Sequence, residues 1–139
     1  MAKIDFAAVS AGDEIPALTT RPISRTTLAL YAGASGDHNP MHIDIDFARK
    51  AGVDDVFAHG MLSMAYLGRL LTGWVPQDHI RSFGVRFSAI TNVADVITCT
   101  GRIVEKLEAE GERRVKLAIT ATNQKGVKTL VGEAVVALP

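Results

Sequence analysis

His59-Gly60-Met61-Leu62-Ser63-Met64-Ala65-Tyr66-Leu67-Gly68-Arg69-Leu70-Leu71-Thr72-Gly73 decides how the rest of this chain is read. Between Gly60 and Gly73 only Arg69 is charged, so the segment makes a helix with no real polar face, and other elements must enclose it. At about 1.5 Å per residue it is roughly 20 Å long, the size of a core helix and too short to span a bilayer.

The material that encloses it lies downstream. After Trp74-Val75-Pro76 the apolar period falls to two. Phe83, Val85, Phe87 and Ala89 alternate with Ser82, Arg86 and Ser88; Ile97, Cys99, Gly101 and Ile103 alternate with Thr98, Thr100 and Arg102. Val115, Leu117, Ile119 and Ala121 repeat the pattern against Arg114, Lys116 and Thr120, and Val127 to Leu138 is a more uniformly apolar fourth strand. Asn92, Glu110-Gly111 and Lys125-Gly126 supply the turns. Four successive strands joined by short turns predict an antiparallel meander whose apolar face the helix covers.

Upstream, Gly52 to Ala58 reads as a loop. Before it, Asp44 or Asp46 caps a brief helix through Phe47 to Ala51, which Gly52 stops in the left-handed conformation. Ser24 caps an earlier helix that reaches about Ala34, with Ile23 stapled onto Leu28 and with Leu28, Tyr31 and Ala32 at helical spacing. Gly33 weakens that helix and Gly36 ends it. From Glu14 to Ile23 a threonine-rich run broken by Pro16 and Pro22 predicts an edge strand or extended arm. The class is α+β, one long helix wrapped by a curved antiparallel sheet in a single domain over 1–139, with no internal repeat.

Composition narrows the function. Lys and Arg total 15 and Asp and Glu total 15, so the formal net charge is zero and no global field draws in nucleic acid or an anionic membrane. Neither is expected as a partner, and small-molecule chemistry is favoured. The single Cys99 rules out an intramolecular disulfide, and its place in an apolar alternation reads as a packed thiol of a reducing compartment. Met1-Ala2-Lys3-Ile4-Asp5 has no apolar core of a secretory signal, which makes a cytoplasmic location the expectation.

The chemistry concentrates in Gly36-Asp37-His38-Asn39-Pro40-Met41-His42-Ile43-Asp44. Asn39 precedes a proline, which pushes it toward extended geometry, so Asp37 and His42 are expected on a stiff, non-helical loop. A carboxylate and an imidazole converging on one water can share general acid and base work, which suits adding or removing water. Loop capping is the competing reading, and the pair alone does not decide between them. Gly60 offers the complement. It opens an enclosed helix whose first N–H groups lack intrahelical partners, and without a side chain it lets a carbonyl approach and become an oxyanion there. A tightly packed helix start explains the same glycine.

Other readings carry less. Asp37, His42, Asp44 and His59 match no strong metal-ligand spacing, so no metal is expected. Ser63 has no Gly-x-Ser-x-Gly elbow and is expected to bond back to the preceding helical turn. Arg81 with Arg86, and Arg113-Arg114, read as solvent-facing strand cations rather than a phosphate grip. Met61, Met64, Tyr66 and Trp74 read as core or tunnel lining.

Tyr31-Ala32-Gly33-Ala34-Ser35-Gly36-Asp37-His38-Asn39-Pro40-Met41-His42-Ile43-Asp44, followed by His59-Gly60-Met61, resembles the MaoC-like (R)-specific enoyl-thioester hydratase/dehydratase family, densely from about Ser24 to Trp74. The resemblance implies the hot dog fold. It also implies reversible syn hydration of a trans-2-enoyl thioester to the (R)-3-hydroxyacyl thioester, on acyl-CoA or acyl-carrier-protein substrates in fatty-acid or polyhydroxyalkanoate metabolism. Carried onto this chain, it makes Asp37 and His42 the catalytic pair and Gly60 the N–H donor to the thioester carbonyl. Asn39 and His59 become supporting residues, and no dissociable cofactor or metal is implied. The resemblance further implies a homodimer whose sheets join edge to edge, or a heterodimer with a related subunit in which this chain is the active half. A non-catalytic acyl-thioester-binding subunit and a hot dog thioesterase are the alternatives on the same fold.

Overall fold

The computed structural model describes residues 4–139. Met1-Ala2-Lys3, part of the segment read above as no secretory signal, lies outside the described residues. In chain order the elements are β1 (Leu18–Thr19), α1 (Arg25–Ser35), α2 (Ile45–Lys50), α3 (Gly60–Trp74), β2 (Ile80–Phe87), β3 (Thr98–Ala109), β4 (Glu112–Thr122) and β5 (Lys128–Ala137). The strands form one antiparallel sheet in the order β1-β3-β4-β5-β2. With α3 lying against this sheet, the architecture is the expected α+β hot dog arrangement.

Period-two alternation selects the buried face. In β4 the inward residues Val115, Leu117, Ile119 and Ala121 are all fully buried. They meet Leu67, Leu70, Leu71 and Trp74 of α3 in one cluster that also takes in Ile97, Cys99 and Ile103 near the β3 side and Leu130, Ala134 and Val136 from β5. The Cys99 thiol is pushed up to about 11 by that burial and stays protonated.

The four-strand meander is corrected. Only β3, β4 and β5 follow one another as a meander, while β2 pairs with β5 at the far side of the sheet. The link between β2 and β3 is the reason. Ser88 and Ala89 still donate to Thr129 O, but the chain then leaves the sheet, and Thr91 O accepts from Ala58 N–H while Asp95 O accepts from Ile23 N–H. The link thus ties down the segments flanking the two short helices, and β3 re-enters beside β1. Gly132 permits the β2–β5 contact, since a Cβ there would stand 2.0 Å from the Gly84 carbonyl oxygen. The Glu14–Ile23 arm is likewise shorter as a strand than expected: only Leu18–Thr19 pairs with β3, helped by an isolated bridge from Glu14 to Arg102. Pro16 and Pro22 remove ladder donors on either side.

The helix termini follow their caps. Ser24 accepts the Thr27 N–H at the start of α1, Gly36 closes it at φ 75°, Asp44 caps α2, and Gly52 follows at φ 92°. A second, smaller core of Ile23, Leu28, Ala48, Val56, Ala58 and Leu62 seats α1 and α2 on the start of α3. The long helix is therefore covered on two sides rather than all round. Met61 is 53% exposed, and Ala65 and Thr72 are also exposed, leaving a third flank of α3 uncovered in the single chain. Among the described residues no helix is long and apolar enough to cross a membrane.

Candidate active site

The left-handed stop at Gly36 turns the chain out of α1 into a series of short side-chain bonds. Asp37 N–H donates to Ser35 Oγ at 3.1 Å, Asn39 N–H donates to Asp37 Oδ1 at 3.2 Å, and Met41 N–H donates to Asn39 Oδ1 at 3.1 Å. Asn39 is extended at φ −56° and ψ 121°, as its following proline requires. The expectation of a wholly non-helical loop is corrected at this point: Pro40–His42 is a single 3-10 turn capped by Asn39. Proline at the first position of a helical turn costs no hydrogen bond and presets φ, so the ring that keeps Asn39 extended also starts the turn that carries His42. Asp44 Oδ1 accepts from the N–H groups of Asp46 and Phe47, which fixes its role as the cap of α2 and leaves it outside the site.

His42 is largely buried, and its Nδ1–H donates to Phe57 O at 2.7 Å while its ring stands edge-on to the Phe57 ring at 89°. A carbonyl can only accept, so this bond sets the tautomer and leaves a lone pair on Nε2. His59, 1% exposed, stacks on the His42 ring with centroids 4.0 Å apart and donates from Nε2–H to Asp37 O at 3.1 Å. Tyr31 closes its other side edge-on at 4.8 Å. Burial pushes the His59 pKa down; the bond to the Asp37 carbonyl offsets part of that, and neighbouring His42 adds to the lowering. His59 is thus a neutral plate that backs the His42 ring and holds the backbone carbonyl of Asp37. The Tyr31 phenol is pushed up, by burial first and then by the Asp37 carboxylate.

Asp37, His42 and His59 each offer a ligand atom within 4.8 Å of the others, with Asp37 exposed in front of the buried rings. That proximity raises the question of a metal. His42 Nδ1 and His59 Nε2 are spent on carbonyls. The remaining lone pairs, on His42 Nε2 and His59 Nδ1, lie in the planes of two stacked rings only 28° from parallel. An ion such as zinc sits close to the plane of each imidazole that binds it, at about 2.0–2.1 Å from the nitrogen, and stacked rings are poorly disposed for that.

Four residues of chain connect this half of the site to the other. Phe57 O holds His42, Ala58 N–H is bonded to Thr91 O at 2.8 Å, His59 touches both catalytic candidates, and Gly60 opens α3. The side chain of His59 makes no capping bond to the helix. Phe87 lies across the opening, where a Cβ on Gly60 would stand 2.8 Å from its Cδ1. Behind it is a cleft of about 360 Å³ lined by Phe57, Gly60, Ser63, Phe87, Thr91 and Leu130.

The structure thus brings together Asp37, His42, Asn39 and His59, places Gly60 beside them, and separates Asp44. Two polar residues in the cleft were not anticipated as site residues. Ser63 Oγ does not bond back along the helix as expected; among the described residues its hydrogen-bond partner is Thr91 Oγ1 at 3.5 Å. Helical spacing already put Ser63 on the face of Gly60, but nothing in the pattern of the β2–β3 link pointed at Thr91. Of the arginines weighed as phosphate ligands, Arg81 and Arg114 both clasp Glu112, whose carboxyl they hold down at about 2.

Comparison with known proteins identifies the family and the fold. Residues 7–125 match the model of the MaoC like domain. A mitochondrial 3-hydroxyacyl-[acyl-carrier-protein] dehydratase of Arabidopsis thaliana is 29% identical over 121 residues, covering 86% of this chain and 73% of the relative. An (R)-specific enoyl-CoA hydratase of Aeromonas caviae is 30% identical over 118 residues, covering 81% of this chain and 84% of that protein. The solved structure of an R-hydratase from Pseudomonas aeruginosa superposes with a TM-score of 0.85 at 29% identity, over 99% of this chain and 86% of the other. With the family match running through both halves of the site and the fold shared end to end, the chain belongs to the MaoC like domain family.

Proposed function

We propose that the protein catalyses the reversible syn hydration of trans-2-enoyl thioesters to (R)-3-hydroxyacyl thioesters, carried on coenzyme A or acyl-carrier protein, in fatty-acid or polyhydroxyalkanoate metabolism. The observation that carries this reading is the proximity of the Asp37 carboxylate to an imidazole whose Nδ1 is committed to Phe57 O, beside Gly60 at the start of α3, over which the Phe87 side chain lies. The names of the relatives supply the substrate class.

In this reading one water lies between Asp37 and His42 Nε2, and the thioester carbonyl lies at Gly60. The water oxygen bonds to C3 as the pair takes one of its protons; the double-bond electrons pass through C2 to the carbonyl oxygen, which Gly60 N–H and the α3 dipole stabilise. The pair then delivers a proton to C2 and returns to its starting state. Because a single pair on one side of the substrate handles both additions, hydroxyl and proton arrive on the same face. Asp37 and His42 exchange protons as a coupled unit. Asn39 holds the loop through its backbone bond to Asp37 and its cap on Met41.

The test is loss of enoyl absorbance from crotonyl-CoA. Asp37→Asn and His42→Ala are each expected to slow it by roughly 10²–10⁴-fold, the usual contribution of acid–base catalysis. Full activity in both variants would remove the assigned roles. Tight acyl-CoA binding with no turnover would favour the non-catalytic subunit, and thiol release from saturated acyl-CoA would favour a thioesterase.

The active form is a homodimer joined along β2. In the single chain β2 pairs on one side only, with β5, so its other edge presents unpaired backbone groups. Phe87, the last residue of β2, and Ile90 line the cleft and are 56% and 51% exposed, and Met61 on α3 is 53% exposed.

A further inference from the structure

Ser63 and Thr91 are 1% and 4% exposed, yet their hydroxyls reach one another only at 3.5 Å, the outer limit of a hydrogen bond. Buried hydroxyls normally find a closer partner, and a serine inside a helix normally finds one in the preceding turn. Here both instead border the cleft that Gly60 opens into and Phe87 covers, among otherwise mostly apolar walls that include Phe57, Ala58 and Leu130. Ser63 stands three residues beyond Gly60 on α3, so the two share a helix face, and side chains on a helix lean toward its N-terminus. The Ser63 hydroxyl therefore leans toward the Gly60 end of the cleft. Thr91 is held in place from behind by the bond between its carbonyl and Ala58 N–H, two residues before Gly60.

Resting on the hydratase reading, we infer that Ser63 is a second hydrogen-bond donor to the thioester carbonyl oxygen, acting beside Gly60 N–H, and that Thr91 orients it. When the carbonyl is present, Ser63 Oγ–H turns to it and Thr91 Oγ1–H donates to Ser63 Oγ, which satisfies both hydroxyls. No bond is made or broken at either residue. The bond from Ser63 strengthens as negative charge collects on the oxygen in the enolate, so its loss falls on kcat more than on KM. Thr91 is a positioning residue that acts only through Ser63.

Two measurements test this. Steady-state hydration of crotonyl-CoA is expected to show kcat reduced about a hundredfold in Ser63→Ala and about tenfold in Thr91→Val, with KM nearly unchanged, while Ser63→Thr keeps most activity. Infrared difference spectra of butyryl-CoA labelled with 13C at the thioester carbonyl, which cannot be hydrated, report the same contact without turnover. The carbonyl band should move to lower frequency on binding to wild type and by clearly less in Ser63→Ala and Thr91→Val; Asp37→Asn, though slow in turnover, should keep the full shift. If Ser63→Ala folds poorly, the Thr91→Val spectrum alone carries the test. Unchanged kcat and an unchanged carbonyl band in Ser63→Ala, with Asp37→Asn slow in turnover, would overturn the role of Ser63 and leave the hydratase reading standing. A wild-type protein that does not hydrate enoyl thioesters would overturn both.

Discussion

His59 touches both members of the proposed catalytic pair, through the Asp37 carbonyl on one side and the face of the His42 ring on the other. A neutral ring can do both; a protonated one would oppose any positive charge that His42 acquires at 4.0 Å. The sign of its linkage to pH follows from the direction of its shift. Its folded pKa lies below the ordinary 6.5, so the unfolded state binds the proton first as the pH falls. Stability from this residue is complete above about pH 6.5, declines as pH falls from there toward the folded pKa, and levels off beneath it. Denaturant titrations across pH 4.5 to 8 should show that slope in wild type and a shallower one in His59→Gln. An unchanged slope in the variant would assign the pH dependence elsewhere. The proximity of Asp37 to His42 was readable from five residues of chain; the support from His59 was legible only through the family resemblance, because His59 is brought in from 22 residues beyond Asp37.

Among the elements, caps were the most legible features. Ser24, Gly36, Asp44 and Gly52 each act through bonds or dihedrals local to their own turn, so the residue type and its neighbours determine the outcome. The inward face of β4 was legible too, since strict alternation names it. The partner of β2 was not, since alternation names the buried face of a strand and not its neighbour, and that choice was made by backbone bonds of the irregular link at Thr91 and Asp95. Pro40 acts in both directions, holding the residue before it extended and beginning the 3-10 turn that follows. The central contact between α3 and the sheet can be tested directly. Leu67 is fully buried within the main cluster, so Leu67→Ala should destabilise by about 2–5 kcal/mol in urea unfolding, with little change in the m-value. A loss below about 1 kcal/mol would mean that the helix is not held as the structure describes.

On the scale of the whole molecule, a single chain leaves two features open at once: the outer edge of β2 and the flank of α3 around Met61 and Ala65. Both were invisible to a reading that took the scarcity of charge in α3 to mean complete enclosure, because burial by the chain itself and burial by a second subunit leave the same apolar pattern. The homodimer proposed here should elute with a mass twice the 14.8 kDa of the chain in light-scattering chromatography. A stable, active monomer would contradict it, and activity that appears only after a related subunit is added would replace it with a heterodimer.

The reaction itself is tested most directly by one experiment, crotonyl-CoA hydration followed by chiral analysis of the product in wild type and Asp37→Asn. The expected result is (R)-3-hydroxybutyryl-CoA from wild type and a rate lower by roughly 10²–10⁴-fold in the variant. An (S) product, no loss of enoyl absorbance, or an undiminished rate in Asp37→Asn would contradict the chemistry assigned to Asp37 and His42.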